Sequence, residues 1–232
     1  MGILKHEQVY RKLFYAGIIN GVGDRFSQVA VLALLLKLTG SGMAVGIILA
    51  IKLIPTLFFS PLAGVLADRY SRKNILMVTD FARIFFALSF LFVSGTEEIW
   101  IIYVGTFFLS IGEAIYQPVR KAMIASVVHR EYLMKVNVYE QVMVGVVLVI
   151  GSFFGGVLSY YLGEQITFLL NGFSFFTAGF FISRVHLNER KPTQRQAFIF
   201  HQLTKTLKIA SPSGRVISIN RIPFKIGDCR KK

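Results

Sequence analysis

The chain has 232 residues, 54% of them hydrophobic and only 16% charged, with a net charge of +14 and a single cysteine, Cys229. Soluble domains carry charge on about a quarter of their residues, so this composition excludes an ordinary soluble domain. One cysteine excludes an internal disulfide framework and zinc sites built on cysteine pairs.

A membrane-spanning helix needs about 20 mostly apolar residues. Six segments meet that requirement, at residues 13–36, 44–67, 75–94, 99–119, 136–161 and 165–183. The N-terminus, MGILKHEQVYRK, runs into the first of them without a small-residue cleavage site, which reads as a retained helix and not a signal peptide. The connections are short, at 39–43, 68–73, 95–98, 120–135 and 162–164, so successive helices run antiparallel. The expected organisation is an N-terminal segment 1–12, a six-helix bundle 13–185 and a tail 186–232.

Lys and Arg fall on alternate connections. The N-terminus carries Lys5, Arg11 and Lys12, the second connection Arg69, Arg72 and Lys73, and the fourth Arg120, Lys121, Arg130 and Lys135. Twelve more lie from Arg184 onward, at the end of the sixth helix and in the tail, whereas the other connections hold Glu97, Glu98 and Glu164 beside a lone Lys37. By the positive-inside rule both termini are cytoplasmic in a multi-pass protein of the plasma membrane. The basic excess then marks the inner membrane face, and no nucleic-acid partner is needed to explain it. The tail is polar, nearly free of acids, interrupted by Pro192, Pro212 and Pro223, and too short for a core of its own. It is expected to be poorly ordered or truncated, apart from an amphipathic stretch near 198–209 that could lie on the inner leaflet.

Helix 1 contains GDRFSQ (residues 23–28) and helix 4 contains GEAIYQ (residues 112–117). Both read glycine, acid, three residues, glutamine, and both acids fall near mid-membrane at 1.5 Å per residue. The two helices run in opposite directions, so the motifs are related by inversion, as a three-plus-three inverted repeat requires. The expected fold is therefore an all-α integral membrane protein of six transmembrane helices arranged as that repeat.

An ionised side chain at the bilayer centre costs at least about 2.5 kcal/mol. Asp24, Arg25 and Glu113 should therefore face the bundle interior or water, and with Gln28 and Gln117 they are the candidate substrate or proton site. A carboxyl group removed from water holds its proton more readily, which suits proton uptake and release. The alternative is a static ion pair, Glu113 with Arg25, that only fixes packing. Asp80 and Arg83 lie three apart on helix 3, can pair with each other and read as structural. Lys52 could snorkel outward, and Glu140 reads as a cap or interface residue near the start of helix 5. Helix 5 also carries Gly151, Gly155 and Gly156, helix-packing residues that would shape an interface between two halves. Pro55, Pro61 and Pro118 can kink their helices. No catalytic triad, HExxH or phosphate-binding glycine loop is present, and His6, His129, His186 and His201 lie at helix ends or in the tail. Neither an enzyme, a metal site nor a cofactor is expected, and transport would draw on an ion gradient or on the substrate's own.

The connection Gly64-x-Leu66-Ala67-Asp68-Arg69-x-x-Arg72-Lys73 resembles the cytoplasmic signature between helices 2 and 3 of the major facilitator superfamily, with Ser71 in place of the usual second glycine. QPVRKAMIASVV at the end of helix 4, the glycines of helix 5 and the GD of helix 1 look like the drug-efflux branch that includes macrolide exporters. The resemblance covers about residues 10–190. It implies a secondary transporter, a proton-driven exporter of lipophilic compounds working by alternating access. Gly64, Asp68, Arg69, Arg72 and Lys73 would form its conformational gate. Gly64 would pack against a second half, Asp68 would face a helix N-terminus there, and Arg69, Arg72 and Lys73 would pair with acidic groups. The family has two six-helix halves and this chain has six helices, with a tail unlike the family from about Ser211. That suggests a frameshift, a fragment or an early stop, and a partner in the form of a second half or a homodimer. The competing expectation is a truncated or regulatory membrane protein without transport of its own. A channel finds no filter-like segment here. Uptake instead of export stays open.

Overall fold

A computed structural model describes residues 7–185. Residues 1–6 and the tail 186–232, with the expected amphipathic stretch and Cys229, lie outside the described residues. Six helices follow one another: α1 (Gln8–Thr39), α2 (Gly42–Arg69), α3 (Arg72–Ser89), α4 (Ile99–Val127), α5 (Leu133–Leu162) and α6 (Glu164–Ser183). One-turn 3-10 segments stand at Phe90–Phe92, Thr96–Glu98 and Arg130–Tyr132, and there is no strand among the described residues. Six helices, counted with these adjoining turns, are long and apolar enough to cross a membrane.

The junctions are as tight as the sequence suggested. Gly40 ends α1 with φ at 62°, a left-handed conformation glycine adopts without a steric penalty, and its N–H bonds to the Leu36 carbonyl at 2.8 Å. The expected loop 68–73 shrinks to Tyr70 and Ser71, because α2 stays helical through Asp68 and Arg69 and α3 starts at Arg72. The largest boundary difference is at α4. Expected to end near 119, it continues to Val127. Arg120, Met123 and Ile124 are buried and Lys121 is exposed, so this last stretch is amphipathic and an apolar window stops short of it. Arg120, assigned to a loop from sequence, is therefore an inward-facing helical residue. The same reasoning extends α1 back to Gln8, since Tyr10 and Leu13 are buried while Arg11 is exposed.

Packing displays the inverted repeat. α1 lies mainly against α5 and α6, α4 mainly against α2 and α3, and α3 against α6. Exchanging α1–α3 for α4–α6 turns the α1–α5 contact into α4–α2 and the α1–α6 contact into α4–α3, while α3–α6 maps onto itself. Two apolar cores result. One, around Tyr10, Leu13, Leu76, Met123 and Ile182, sits at the end of the bundle where α1 begins. The other, around Leu35, Ile48, Phe90, Ile102 and Phe168, sits at the opposite end. Between them lies a layer of buried polar side chains that includes Asn20, Asp80, Arg83, Asn171 and Ser174. Large apolar residues such as Leu57, Phe58, Phe85, Val149 and Phe173 cover the outside, as a lipid-facing surface requires.

Candidate functional site

The two repeat motifs place their glycines in equivalent jobs. A Cβ on Gly23 of α1 would collide with Ser174 of α6 and come within 3.0 Å of Asn171 Oδ1. A Cβ on Gly112 of α4 would stand 2.8 Å from Cγ and 2.9 Å from Cδ of Arg83 on α3. Each glycine thus lets a polar side chain from the third helix of the other repeat lie across it, next to the acid that follows.

Arg83 is the centre of the polar layer. Its side chain is 2% exposed, and its Nη2 donates to Asp24 Oδ2 at 2.5 Å. The same nitrogen lies 3.9 Å from Glu113 Oε2. Nη1 donates to Asn20 Oδ1 at 3.4 Å, and Asn20 Nδ2 donates in turn to Asp80 Oδ1 at 2.8 Å. The guanidinium also stacks 4.2 Å from the centre of the Phe175 ring, a favourable place for a delocalised cation. One arginine on α3 therefore joins acids of α1 and α4, the two helices that carry the repeat motif. Asp80 Oδ2, Arg83 Nε, Tyr116 Oη and Asn171 Nδ2 are buried without a protein hydrogen bond.

These contacts differ from the pairs read off the sequence. Glu113 meets Arg83 and not Arg25, whose guanidinium donates instead to Gln28 Oε1 at 2.9 Å on its own helix. Asp80 and Arg83, spaced to pair with each other, reach toward α1, Asp80 to Asn20 and Arg83 to Asp24. Arg83 thereby spans α1 and α4, and Asp80 keeps one hydrogen-bonded oxygen while its Oδ2 is left without a partner.

Two clefts meet at this layer. The first, about 490 Å³, is lined by Asp24, Gln28, Lys52, Arg83 and Glu113, with an apolar wall from Leu32, Ile48 and Leu109. The second, about 600 Å³, opens toward the end where α1 begins and is lined by Asp24, Arg25, Lys52, Glu113, Gln117 and Arg120. Asp24, Lys52 and Glu113 line both. Lys52, read as a snorkelling residue, thus belongs to the cleft walls.

A second buried pair locks the end where α1 begins. Arg120 donates to both Glu140 oxygens, at 2.6 and 3.2 Å, and to the Leu13 carbonyl at 3.1 Å. Tyr10 donates to the same carboxylate at 3.3 Å. α1, α4 and α5 are joined in this way, and Gly17 has no Cβ where the guanidinium passes. Nearby, Arg72 donates to the Ala122 carbonyl at 3.1 Å and Lys73 to the Ser183 and Val185 carbonyls at 2.7 and 2.9 Å. Lys73 sits at the C-terminus of α6, where a cation is favoured, Arg72 holds a carbonyl within the last two turns of α4, and both partners are carbonyls of this bundle instead of acidic side chains. Asp68 and Arg69 are exposed at the end of α2, and Gly64 is half-buried one turn earlier. Of the α5 glycines, Gly151 abuts Arg25 Cβ, and Gly155 abuts Phe26, where a Cβ would lie 3.0 Å from the Phe26 Cα. Gly156 meets only Val29, at 3.9 Å. These three glycines face α1 of the same bundle.

The sequence reading did not see Arg83 as the hub, Asn20 as its bridge to Asp80, or Arg120 with Glu140. One signal was available. An arginine inside an apolar helix needs a partner at its own depth, and Asp24 was the mid-membrane acid already identified.

A family model of the major facilitator superfamily described as "Transmembrane secretion effector" matches residues 4–220, beyond the 10–190 over which the resemblance was drawn and past Ser211. The chain is 27% identical over 178 residues to "Putative bacilysin exporter BacE" of Bacillus subtilis (strain 168), covering 75% of this chain and 43% of that protein. It is 30% identical over 116 residues to "Macrolide efflux protein A" of Streptococcus pyogenes, covering 49% of this chain and 29% of that protein. Among solved structures, an auto-inhibited peptide transporter of the POT family superposes with a TM-score of 0.59 at 17% identity, over 78% of this chain and 39% of that one. That likeness is one of fold. The chain spans less than half the length of each of these three relatives.

Proposed function

Because the chain belongs to the transmembrane secretion effector family of the major facilitator superfamily, we propose that it is the N-terminal half of a secondary active exporter, coupled to protons and moving small organic compounds with apolar bodies by alternating access. The observation that carries this reading is Arg83 bridging Asp24 and Glu113 at the meeting of two clefts. A proton on either carboxylate removes one of the arginine's counter-charges and loosens α1 or α4 from α3. Proton binding then changes the packing of the two repeat-related helices that line the path. The apolar wall of Leu32, Ile48 and Leu109 suits lipophilic bodies.

A second six-helix bundle closes the clefts in this reading. Charged and amide side chains of α1, α2 and α4, among them Arg25, Lys52 and the exposed Gln117, line open clefts and would be costly against lipid. Asp68 and Arg69 are the signature residues that face outward, toward such a bundle, while Arg72 and Lys73 are occupied within this one. The Lys and Arg distribution supports a plasma-membrane protein with both termini cytoplasmic.

The test is proton-driven dye efflux in reconstituted vesicles, with the chain alone and together with a second half. Asp24→Asn should abolish coupling, with efflux becoming insensitive to the pH gradient. Undiminished gradient-driven efflux by Asp24→Asn refutes the proton role. The other reading is a regulatory membrane protein without transport. That reading predicts no efflux in either reconstitution.

A further inference from the structure

The clefts are lined by charge of both signs, and the ion pairs do not consume all of it. Arg83 is committed to Asp24 at 2.5 Å. Glu113 keeps 30% of its side-chain surface exposed and has its cation only at 3.9 Å. Lys52 lines both clefts yet has no carboxylate within 4.0 Å among the described residues. Arg25, in the second cleft, bonds only to the neutral Gln28. The Lys52 ammonium and the Glu113 carboxylate thus line the same walls and feel each other's charge, as Glu113 feels that of Arg25, but they make no direct ion pair within 4.0 Å, in a layer between two apolar cores where electrostatic interactions are stronger than in water.

Resting on the exporter reading, we infer that the substrate is zwitterionic: a small molecule with an apolar body, a carboxylate that Lys52 binds and an amine that Glu113 binds. A purely cationic compound would meet Lys52 and Arg25 and be repelled. A purely anionic one would meet Glu113 and the Asp24 carboxylate. Only a compound with both charges satisfies the two open groups together and avoids like-charge contacts, which is how a site rejects the wrong partner. The apolar wall of the first cleft, Leu32, Ile48 and Leu109, takes the body.

The experiment is calorimetric titration of the full chain in lipid nanodiscs with four probes. They are alanyl-phenylalanine, its C-terminal amide, its N-acetyl derivative and ethidium. Alanyl-phenylalanine should bind about tenfold tighter or more than the amide or the N-acetyl form, the amount one charge-assisted contact supplies. Lys52→Gln should erase its advantage over the amide, and Lys52→Arg should keep it. Glu113→Gln should erase its advantage over the N-acetyl form. Three results overturn the inference: ethidium or the amide binding as tightly as the dipeptide, no probe binding at all, or Lys52→Gln leaving the advantage intact. Tightest binding of ethidium sinks the zwitterion while export stands. Dipeptide binding without gradient-driven flux in vesicles sinks export while the zwitterion site stands.

Discussion

Arg120 shows what a buried charge demands of its neighbours. Its side chain is 5% exposed and that of Glu140 13%, so the pair is held together largely away from water. Glu140→Ala leaves the guanidinium without a counter-charge, a loss of about 3–5 kcal/mol. A lower melting temperature in detergent, followed by tryptophan fluorescence, is the expected result. The double replacement Arg120→Met with Glu140→Leu should recover most of that loss, because an apolar pair of similar volume removes the need for compensation. A double variant as unstable as the single one would mean that the contact of Arg120 with the Leu13 carbonyl, not the ion pair, supplies the stability. At this scale the sequence marked Asp24 and Glu113 by their depth alone. It could not say which cation they meet, because a side chain's partner depends on which helices face each other.

Between helices, the approach of α1 to α5 is set by glycines. Gly155→Ala places a methyl against the Phe26 backbone, which cannot move aside like a flexible side chain. A destabilisation of about 1–3 kcal/mol is expected from this overpacking. Gly145→Ala is the control on the same helix. Nothing lies within 4 Å of its added Cβ, so helix propensity should make it neutral or stabilising by up to about 1 kcal/mol. Thermal unfolding of the two variants side by side measures both. Gly112→Ala presses on the inner carbons of the buried Arg83 side chain, so it should also destabilise and should shift the guanidinium from Asp24, read as weakened pH-gradient dependence of efflux. The six helices themselves were legible from hydropathy and junction chemistry. The ends of α1 and α4 were not, since amphipathic turns with one buried face do not register as apolar runs.

For the whole molecule, the inverted repeat was legible as a six-residue echo because each copy needs the same glycine and acid at the same depth. Orientation in the membrane makes a separate prediction. A green fluorescent protein fused after Ser183 should fluoresce, and alkaline phosphatase fused after Ser94 should be active. The reverse pattern would place the termini outside and remove the support for a cytoplasmic tail.

Composition, span count, the alternation of basic connections and the signature ending in Arg72 and Lys73 are properties of the chain itself, so the sequence alone determined a six-helix membrane protein of a known transporter superfamily. Only the tertiary structure decided that Arg83 bridges Asp24 and Glu113, that Arg120 binds Glu140, and that Arg72 and Lys73 bond to backbone carbonyls within this bundle. Hydropathy and spacing act along one helix. Ion pairs in a low-dielectric layer form between helices, where packing chooses the partner.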